Sequence, residues 1–246
     1  MGEMHAKKIT KVVEFAEKSR LPIIGIWDGD GQRAHEGVTS LGSTGELLDS
    51  LVSCSGRVPM ISIVLGTVSG TSALAASLSD FVILDQNRGR MFMRSPYVIP
   101  EIVEGEIDED TLGGAGHHAS RSGVACMVSG SENGAFDMVA EILSFLPDHT
   151  LSDPPVLRSG EKWDRRCKGL EKLVPPDSDR PYDMRKVISQ VVDGKRILEL
   201  FPSYAENVVV GFARLDGHPV GVVGSQPAVL AGCLDIDASV KAARFI

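Results

Sequence analysis

The feature that most constrains this chain is the run Val58 to Leu84, which carries no charge before Asp80. A run of this length is compatible with a membrane span. However, Pro59, Gly66 and Gly70 interrupt it, and Ser and Thr occur throughout. A buried strand, a turn and a helix of small residues explain this pattern better than a membrane helix does. We therefore predict a protein without a membrane span.

Strands and helices alternate on both sides of this run. Met4 to Ser19 has the spacing of an amphipathic helix, and Leu21 to Trp27 that of a short buried strand. Continuous apolar strands that alternate with helices are typical of an α/β domain with a largely parallel sheet. The further predicted elements are helix 44–54, strand 60–65, turn 66–70, helix 71–79, strand 81–84, strand 123–128 and helix 132–145.

The texture of the sequence changes after residue 147. Pro147, Pro154 and Pro155 lie among Asp and Ser residues, which is typical of a linker. A helix follows at 182–192, and two β-rich runs flank the turn sequence Asp216-Gly217-His218, which predicts a hairpin. We therefore predict a first domain over 1–148, a linker over 149–182 and the start of a second domain over 183–246.

Composition excludes several classes of function. The formal net charge of -8 and the pI near 5.3 argue against a nucleic-acid-binding protein, because such proteins carry a strongly basic surface. The four cysteines form no C-x-x-C pair, and neither His117 nor His118 has a second ligand at metal spacing. We therefore predict no metal site. The N-terminal residues lack the apolar segment of a signal peptide.

The best candidate for chemistry is the turn Gly66 to Thr71, between a buried strand and a helix. Such a turn directs backbone N–H groups at one point, which suits an oxyanion such as the enolate of a thioester. The alternative is that the turn merely requires glycines. The turn at 28–37 could hold a ligand or only a local salt bridge between Arg33 and Glu36. His117 and His118 lie after a glycine-rich stretch and could supply a catalytic base or hold that loop in place.

Several collinear stretches make the sequence familiar, and the run Asn207 to Ile246 is the most specific of them. On these stretches the chain resembles the carboxyltransferase (beta) subunit of biotin-dependent acyl-CoA carboxylases of the propionyl-CoA carboxylase type, in the crotonase superfamily. The other stretches are His5-Ala6-Lys7-Lys8-Ile9, Glu36-Gly37, Leu112-Gly113-Gly114-Ala115, His118, Ser122-Gly123-Val124-Ala125, Leu143 to Pro147 and Pro181-Tyr182-Asp183-Met184.

The resemblance implies a spiral of ββα units, with most of a first domain and the start of a second, and a ring-like homo-oligomer of hexamer type. It implies transfer of a carboxyl group from carboxybiotin to the α-carbon of a short acyl-CoA, through an enolate held by backbone N–H groups. The amides of Gly70 and Thr71 match the hole for the acyl-CoA. The substrate-binding positions that it suggests are Arg33, Gly66, Ser69, Ser95, Pro96 and His118.

The resemblance also implies partners and a location. Biotin would arrive on a separate carrier domain or protein, with a biotin carboxylase as partner and no metal. The cytoplasm, or the mitochondrial matrix of a eukaryote, would be the compartment. Because a complete subunit is roughly twice as long, we expect parts to be missing at both ends, including the hole for biotin. We therefore expect this chain alone to be unable to transfer a carboxyl group.

Three loops depart from the family pattern. The family usually has Ala-Gly-Gly where this chain has Ser69-Gly70-Thr71, and Asp-Ser-Gly-Gly-Ala-Arg where residues 28–33 read Asp-Gly-Asp-Gly-Gln-Arg. Arg94-Ser95-Pro96 replaces the common Thr-Gly-Pro. The β-branched threonine crowds the thioester. Three alternatives therefore stay open: a biotin-dependent acyl-CoA decarboxylase, a non-catalytic paralogue, and a serine hydrolase that uses Ser69 with His117 or His118.

Overall fold

The computed structural model describes residues 1–94, 96, 108–160, 164–167, 169–177 and 179–246. These residues form two compact units. Unit 1 comprises Met1–Leu143 and Pro147–Ser152, and unit 2 comprises Ser144–Leu146 and Asp153–Ile246. The predicted domain limits and the predicted linker at 149–182 stay predictions. No helix in the described ranges has the length and apolar character that crossing a bilayer requires.

Helices and strands alternate along most of the described chain through residue 145, as the sequence pattern predicts, except for two successive strands at 81–92 and two successive helices at 109–120. In chain order the elements are α1 (Glu3–Ser19), β1 (Ile23–Gly29), α2 (Gly37–Cys54), β2 (Met60–Ser69), α3 (Thr71–Ser77), β3 (Phe81–Asp85), β4 (Arg90–Phe92), α4 (Glu109–Gly113), α5 (Ala115–Ser120), β5 (Met127–Ser129) and α6 (Glu132–Phe145). The bounds of α6 coincide with those predicted, and those of α1 and β3 differ by one residue.

The strands of unit 1 form a parallel sheet in the order β1-β2-β3-β5, and β4 pairs with the end of β2. The central strand β2 is almost wholly buried because strands flank both its edges and helices cover it. One core cluster packs Leu47 and Leu51 of α2 against Met60 of β2, and another packs α3 against Val64 and Leu84. The predicted parallel α/β sheet is confirmed.

The predicted turn at 66–70 is wrong. Strand β2 continues through Ser69, because its last three residues pair in register with β4. The sequence showed no sign of β4, since a strand of three residues is too short for a periodic pattern. The strand predicted at 123–128 is also wrong in its bounds, since β5 covers Met127–Ser129. The turn between strand and helix is therefore confined to Gly70.

Unit 2 contains a small antiparallel sheet. Its elements are α7 (Leu170–Leu173), α8 (Met184–Val191), β6 (Leu198–Leu200), β7 (Val208–Leu215), β8 (His218–Ser225) and α9 (Ile236–Phe245), and the strand order is β6-β7-β8. The predicted hairpin is confirmed. Asp216 and Gly217 connect its strands, both with positive φ, as a two-residue turn of type I′ requires.

Candidate active site

The passage from β2 to α3 depends on the backbone of Gly70. This residue has φ 60° and ψ -131°, a conformation that side chains with a Cβ rarely adopt. A Cβ added there would have no atom within 4 Å, so the backbone angle and not the available space requires glycine. Helix α3 begins at the next residue, Thr71. The N–H groups of its first turn have no partner within the helix, and they lie next to Gly70.

The amide hydrogen bonds at this turn differ from the predicted pair. The N–H of Gly70 donates to the carbonyl oxygen of Phe92 in β4 at 2.8 Å, so it is already occupied. The N–H groups of Thr71 and Ser72 donate to no acceptor in the part of the chain that the structure describes. Thr71 N–H is therefore the member of the predicted pair that remains available for an oxyanion.

The side chain of Thr71 is unusual among the described residues. Its Oγ1 atom is buried and has no hydrogen-bond partner among them, although the residue as a whole is partly exposed. An unpaired buried hydroxyl costs about 1–3 kcal/mol. Arg90 Nε is also buried and unpaired among the described residues, but it lies 3.7 Å from Oε2 of Glu109.

Ser69 connects the turn to the loop that follows β1. Its Oγ accepts the N–H of Gly31 at 3.1 Å and lies 3.4 Å from Oδ1 of Asp30, to which it donates. A Cβ on Gly31 would approach the Ser69 carbonyl oxygen to 3.0 Å, so the two loops pack closely. Ser69 and Asp30, which both depart from the family pattern, are therefore direct neighbours. Ser69 also lies two positions before Thr71 in the sequence.

Gly66 lies within β2 and not in a turn, and it packs against the end of β1. A Cβ at this position would overlap the carboxylate of Asp28, so glycine leaves room for that side chain beside the strand. The register between β1 and β2 shifts at the same level, between Trp27 and Gly29. Gly66 therefore shapes the end of β1, and its suggested role in substrate binding stays a prediction.

Arg33 is bound locally. Its guanidinium lies 3.3 Å from Oε1 of Glu36, and its own side chain is 61% exposed. The other oxygen of Glu36 accepts the N–H of Glu3 at 2.6 Å. This backbone hydrogen bond, more than the guanidinium, lowers the pKa of Glu36. The geometry matches the local salt bridge that the sequence offered as one of two alternatives.

His118 holds β4 in place. Its Nε2 lies 2.9 Å from the carbonyl oxygen of Met91, and its Nδ1 lies 2.8 Å from Oγ of Ser122. Burial lowers the pKa of His118, so the ring is neutral near pH 7. Because a carbonyl oxygen can only accept, Nε2 donates to Met91, and Nδ1 then accepts from the hydroxyl of Ser122. With both nitrogens occupied, His118 fits the alternative of a loop anchor better than that of a base.

The serine hydrolase alternative finds no support in this geometry. The Ser69 hydroxyl is directed to Asp30, and both ring nitrogens of His118 have other partners. Pro96 is buried, and Ser95 lies outside the described residues. No group of three or more metal-ligating side chains occurs among the residues that the structure describes.

A groove in unit 1 ends at this turn. Its volume is about 490 Å³, which suits a small molecule. Residues of α1 and β1 form its mainly apolar walls, and His5, Lys8, Asp28, Asp30 and Ser72 are the polar or charged residues among those that line it. No pattern in the sequence predicts this groove, because α1 and β1 meet only in the folded chain.

Comparison with known proteins places these observations in a family. The carboxyl transferase domain family matches residues 1–246. A biotin-dependent acetyl-/propionyl-coenzyme A carboxylase beta5 subunit of Mycobacterium tuberculosis is 41% identical over an aligned stretch of 253 residues, which covers 100% of this chain and 46% of that protein. A methylmalonyl-CoA decarboxylase subunit alpha of Veillonella parvula is 39% identical over 246 residues, again 100% of this chain and 48% of that protein.

A solved structure extends the similarity to three dimensions. The transcarboxylase 12S, described as a hexamer assembly with hydrolysed methylmalonyl-coenzyme A bound, matches with a TM-score of 0.95 at 35% identity. The match covers 99% of this chain and 48% of that one. The chain thus spans about half the length of the curated relatives that it matches. The predicted crotonase-like fold is confirmed, and the chain belongs to the carboxyl transferase domain family.

Proposed function

We propose that this chain forms the acyl-CoA side of a carboxyltransferase that moves a carboxyl group from carboxybiotin to the α-carbon of a short acyl-CoA. The observation that carries the proposal is the match of the whole chain to the carboxyl transferase domain. The turn at Gly70 and Thr71 supports it, because the N–H groups of Thr71 and Ser72 have no acceptor among the described residues and Ser72 lines a groove of suitable volume.

The chemistry asks this turn to hold an oxyanion. Carboxybiotin, when bound, would supply the carbon dioxide, and the ring nitrogen freed by its departure would accept the α-proton of the acyl-CoA. The enolate left behind carries negative charge on the thioester oxygen, and its α-carbon forms the new bond to carbon dioxide. Preorganised N–H groups that face this oxygen lower the barrier, and we assign that task to Thr71 and the adjacent Ser72.

The groove suits the rest of the acyl-CoA. Its walls are mainly apolar, and Lys8 in its lining offers a positive charge to an anionic ligand. The carboxylate of Asp30 lines the groove near the turn. We expect a short acyl-CoA, such as propionyl-CoA, as the acceptor, because the walls that the acyl chain would meet are mainly apolar.

The partners follow from the same proposal. Biotin would be presented on a carrier domain or protein loaded by a biotin carboxylase, and the subunit would assemble with copies of itself into a ring of hexamer type. The hexamer assembly named for the transcarboxylase 12S supports the ring. Because the relatives are about twice as long, we expect residues outside this chain to hold the biotin oxygen. We place the protein in the cytoplasm, or in the mitochondrial matrix if it is eukaryotic.

A biotin-dependent acyl-CoA decarboxylase is the second candidate. The 39% identity to a methylmalonyl-CoA decarboxylase subunit favours it specifically. The two reactions use the same enolate in opposite directions. A non-catalytic paralogue is the third, and the threonine at position 71 favours it because the family has glycine there.

The test uses protein expressed from its complete open reading frame. Methylmalonyl-CoA is supplied with free biotin, and propionyl-CoA is followed by mass spectrometry, with a reaction without biotin as the control. Biotin-dependent loss of carbon dioxide supports the proposal. No turnover by a folded protein that still binds CoA would contradict it and favour a non-catalytic paralogue.

A further inference from the structure

The side chain of Ser72 carries a hydroxyl that is almost buried and yet open to the groove. Only 5% of Ser72 is exposed, and its Oγ has no hydrogen-bond partner among the described residues. Among those residues, the side-chain nitrogen and oxygen atoms that are both unpaired and sealed from solvent belong to Thr71 and Arg90 alone. The Ser72 hydroxyl therefore reaches open space, and the open space that Ser72 lines is the groove. Since most buried polar side chains have partners, this hydroxyl suits a polar group of a ligand.

Asp30 supplies an acceptor in the same groove. Its Oδ1 accepts the Ser69 hydroxyl at 3.4 Å, which holds the carboxylate against the end of β2, three residues before Ser72. Its Oδ2 has no partner in the part of the chain that the structure describes, and Asp30 lines the groove. Asp28, the other carboxylate in the lining, packs against Gly66. Ser72 and Asp30 thus offer one donor and one acceptor to the same ligand.

The groove has a polar end and an apolar end. The N–H of Arg33 donates to the carbonyl oxygen of Met1 at 2.9 Å, so the start of α1 lies beside the end of β1. The two elements therefore run in opposite directions along the groove. Its polar end lies at the end of β1, where Asp30 and Ser72 are. The apolar residues that line the groove away from that end are Ile9, Val12, Ile24 and Ile26.

We propose that Ser72 and Asp30 bind the secondary amide of the acyl-CoA that lies nearest to its thioester. The Ser72 hydroxyl donates to the amide carbonyl oxygen, and the Asp30 carboxylate accepts the amide N–H. An amide uses both protein groups at once, because it carries one donor and one acceptor. A single ethylene unit joins this amide to the thioester sulfur, so it lies close to the thioester oxygen that the Thr71 and Ser72 N–H groups would hold.

The inference rests on the proposed function, since it names the side chains that position the substrate in that site. It is separate from the stabilisation of the oxyanion, because it uses the side chain of Ser72 and not its N–H. The carboxylate also sets the sign of the recognition: Asp30 attracts an N–H donor and repels an oxygen acceptor at the same position. Exchange of the amide N–H for an oxygen atom therefore tests the contact directly.

The test compares propionyl-CoA with an analogue in which an ester oxygen replaces the N–H of this amide. Calorimetry gives both dissociation constants for protein expressed from its complete open reading frame. We expect the wild type to bind propionyl-CoA about tenfold more tightly than the ester analogue, as one hydrogen bond to a charged acceptor predicts. Asp30→Ala should bind the two ligands equally. The variant should fold, because Asp30 is exposed and the Ser69 hydroxyl keeps the N–H of Gly31.

Ser72→Ala tests the donor and leaves the backbone N–H in place. It should weaken the binding of both ligands about fivefold and keep the preference for the amide, because both ligands retain the carbonyl group. Two matched controls should bind like the wild type. Ser77→Ala removes a hydroxyl at the other end of α3, where it donates to the carbonyl oxygen of Leu74, and Asp49→Ala removes an exposed carboxylate of α2.

The outcomes separate the inference from the proposed function. If the wild type binds propionyl-CoA and the ester analogue equally, or if Asp30→Ala keeps the preference, the inference is wrong while the proposed function stands. Unchanged binding by Ser72→Ala would also overturn it. If the wild type binds neither ligand, the proposed acyl-CoA site fails and the inference fails with it. A lower urea midpoint for ligand-free Ser72→Ala would show that the hydroxyl is paired in the free protein, and would overturn the inference.

Discussion

The turn at Gly70 and Thr71 in unit 1 and the loop Phe201 to Ala205 in unit 2 are similar in backbone conformation but differ in whether their polar groups have hydrogen-bond partners. Each contains backbone with positive φ, at Gly70 in the first and at Phe201 and Ala205 in the second. The turn leaves N–H groups and one hydroxyl without protein partners among the described residues. The loop has its carbonyl groups bound by a single buried side chain, that of Lys241.

Lys241 is only 1% exposed, and its ammonium group donates to the carbonyl oxygens of three loop residues. Tyr204, in the same loop, donates its hydroxyl to Asp237 at 3.0 Å. Strained backbone whose polar groups are hydrogen-bonded indicates a structural role. Strained backbone that leaves polar groups without partners indicates a binding site. The two regions therefore differ in whether their polar groups have hydrogen-bond partners within the protein, and not in the sign of their backbone φ angles.

The largest expected effect is the loss of stability when Lys241 is replaced. Lys241→Met removes three hydrogen bonds from a charged donor and leaves the Tyr204 carbonyl without a donor among the described residues, whereas the Phe201 and Ala205 carbonyls keep the N–H groups of Tyr204 and Val208. Each lost bond costs on the order of 1 kcal/mol, so we expect a loss of about 3 kcal/mol in the free energy of unfolding. Urea unfolding followed by circular dichroism measures it. Lys186→Met, at an exposed position of α8, is the matched control and should change stability by under about 0.5 kcal/mol. Equal effects of the two would contradict the role of Lys241.

The same lysine predicts a dependence on pH. Burial lowers the pKa of Lys241 from 10.5 to about 8, so the folded chain releases its proton before the unfolded chain does. The unfolded chain then binds more protons between pH 8 and 10.5, and the free energy of unfolding rises with pH in that window, by at most about 3 kcal/mol. Unfolding curves at pH 7.5 and 10 for wild type and Lys241→Met measure it. The gap between the two proteins should widen, and a constant gap would contradict the lowered pKa.

The strain at the turn can be tested separately from its unpaired groups. Gly70→Ala places a Cβ on backbone that only glycine adopts readily, so we expect a loss of about 2 kcal/mol in stability. Gly116→Ala is the matched control, because Gly116 lies in α5 with open space around it and without positive φ. The control should be neutral or slightly stabilising. A tolerated Gly70→Ala would show that the turn relaxes without cost.

The smallest expected effect concerns His118, which anchors β4 through its hydrogen bond to the carbonyl oxygen of Met91. Because burial lowers the pKa of His118 below 6.5, protonation favours the unfolded chain, and stability should fall as the pH drops below 6.5. His118→Gln should show less of this loss and should cost about 1 kcal/mol at pH 7, since it retains one hydrogen-bonding group. His117→Gln, at the adjacent position, is the control. An unchanged acid dependence in His118→Gln would contradict the anchoring role.

The spacing of apolar residues predicted α1, β3 and α6 to within one residue, and local turn chemistry predicted the hairpin at Asp216 and Gly217. The helix predicted at 44–54 begins earlier, at Gly37, and α4, α5 and α7 were not predicted. The spacing also failed at Gly66, where β2 continues because β4 pairs with its last residues. Periodicity is a local property of the sequence, whereas this pairing joins segments that only the fold brings together. The resemblance likewise led to Gly70 and Thr71, but it could not show which of their amides was already occupied.

The sequence by itself determined the α/β class and the family, because these depend on the spacing of residues and on collinear motifs. Only the tertiary structure decided which donors at the turn of Gly70 and Thr71 are free. Phe92 takes the Gly70 N–H, Asp30 takes the Ser69 hydroxyl, and Thr71 has no partner among the described residues. A hydrogen bond depends on where two distant segments meet, to within a fraction of an ångström, and residue order alone does not specify that distance.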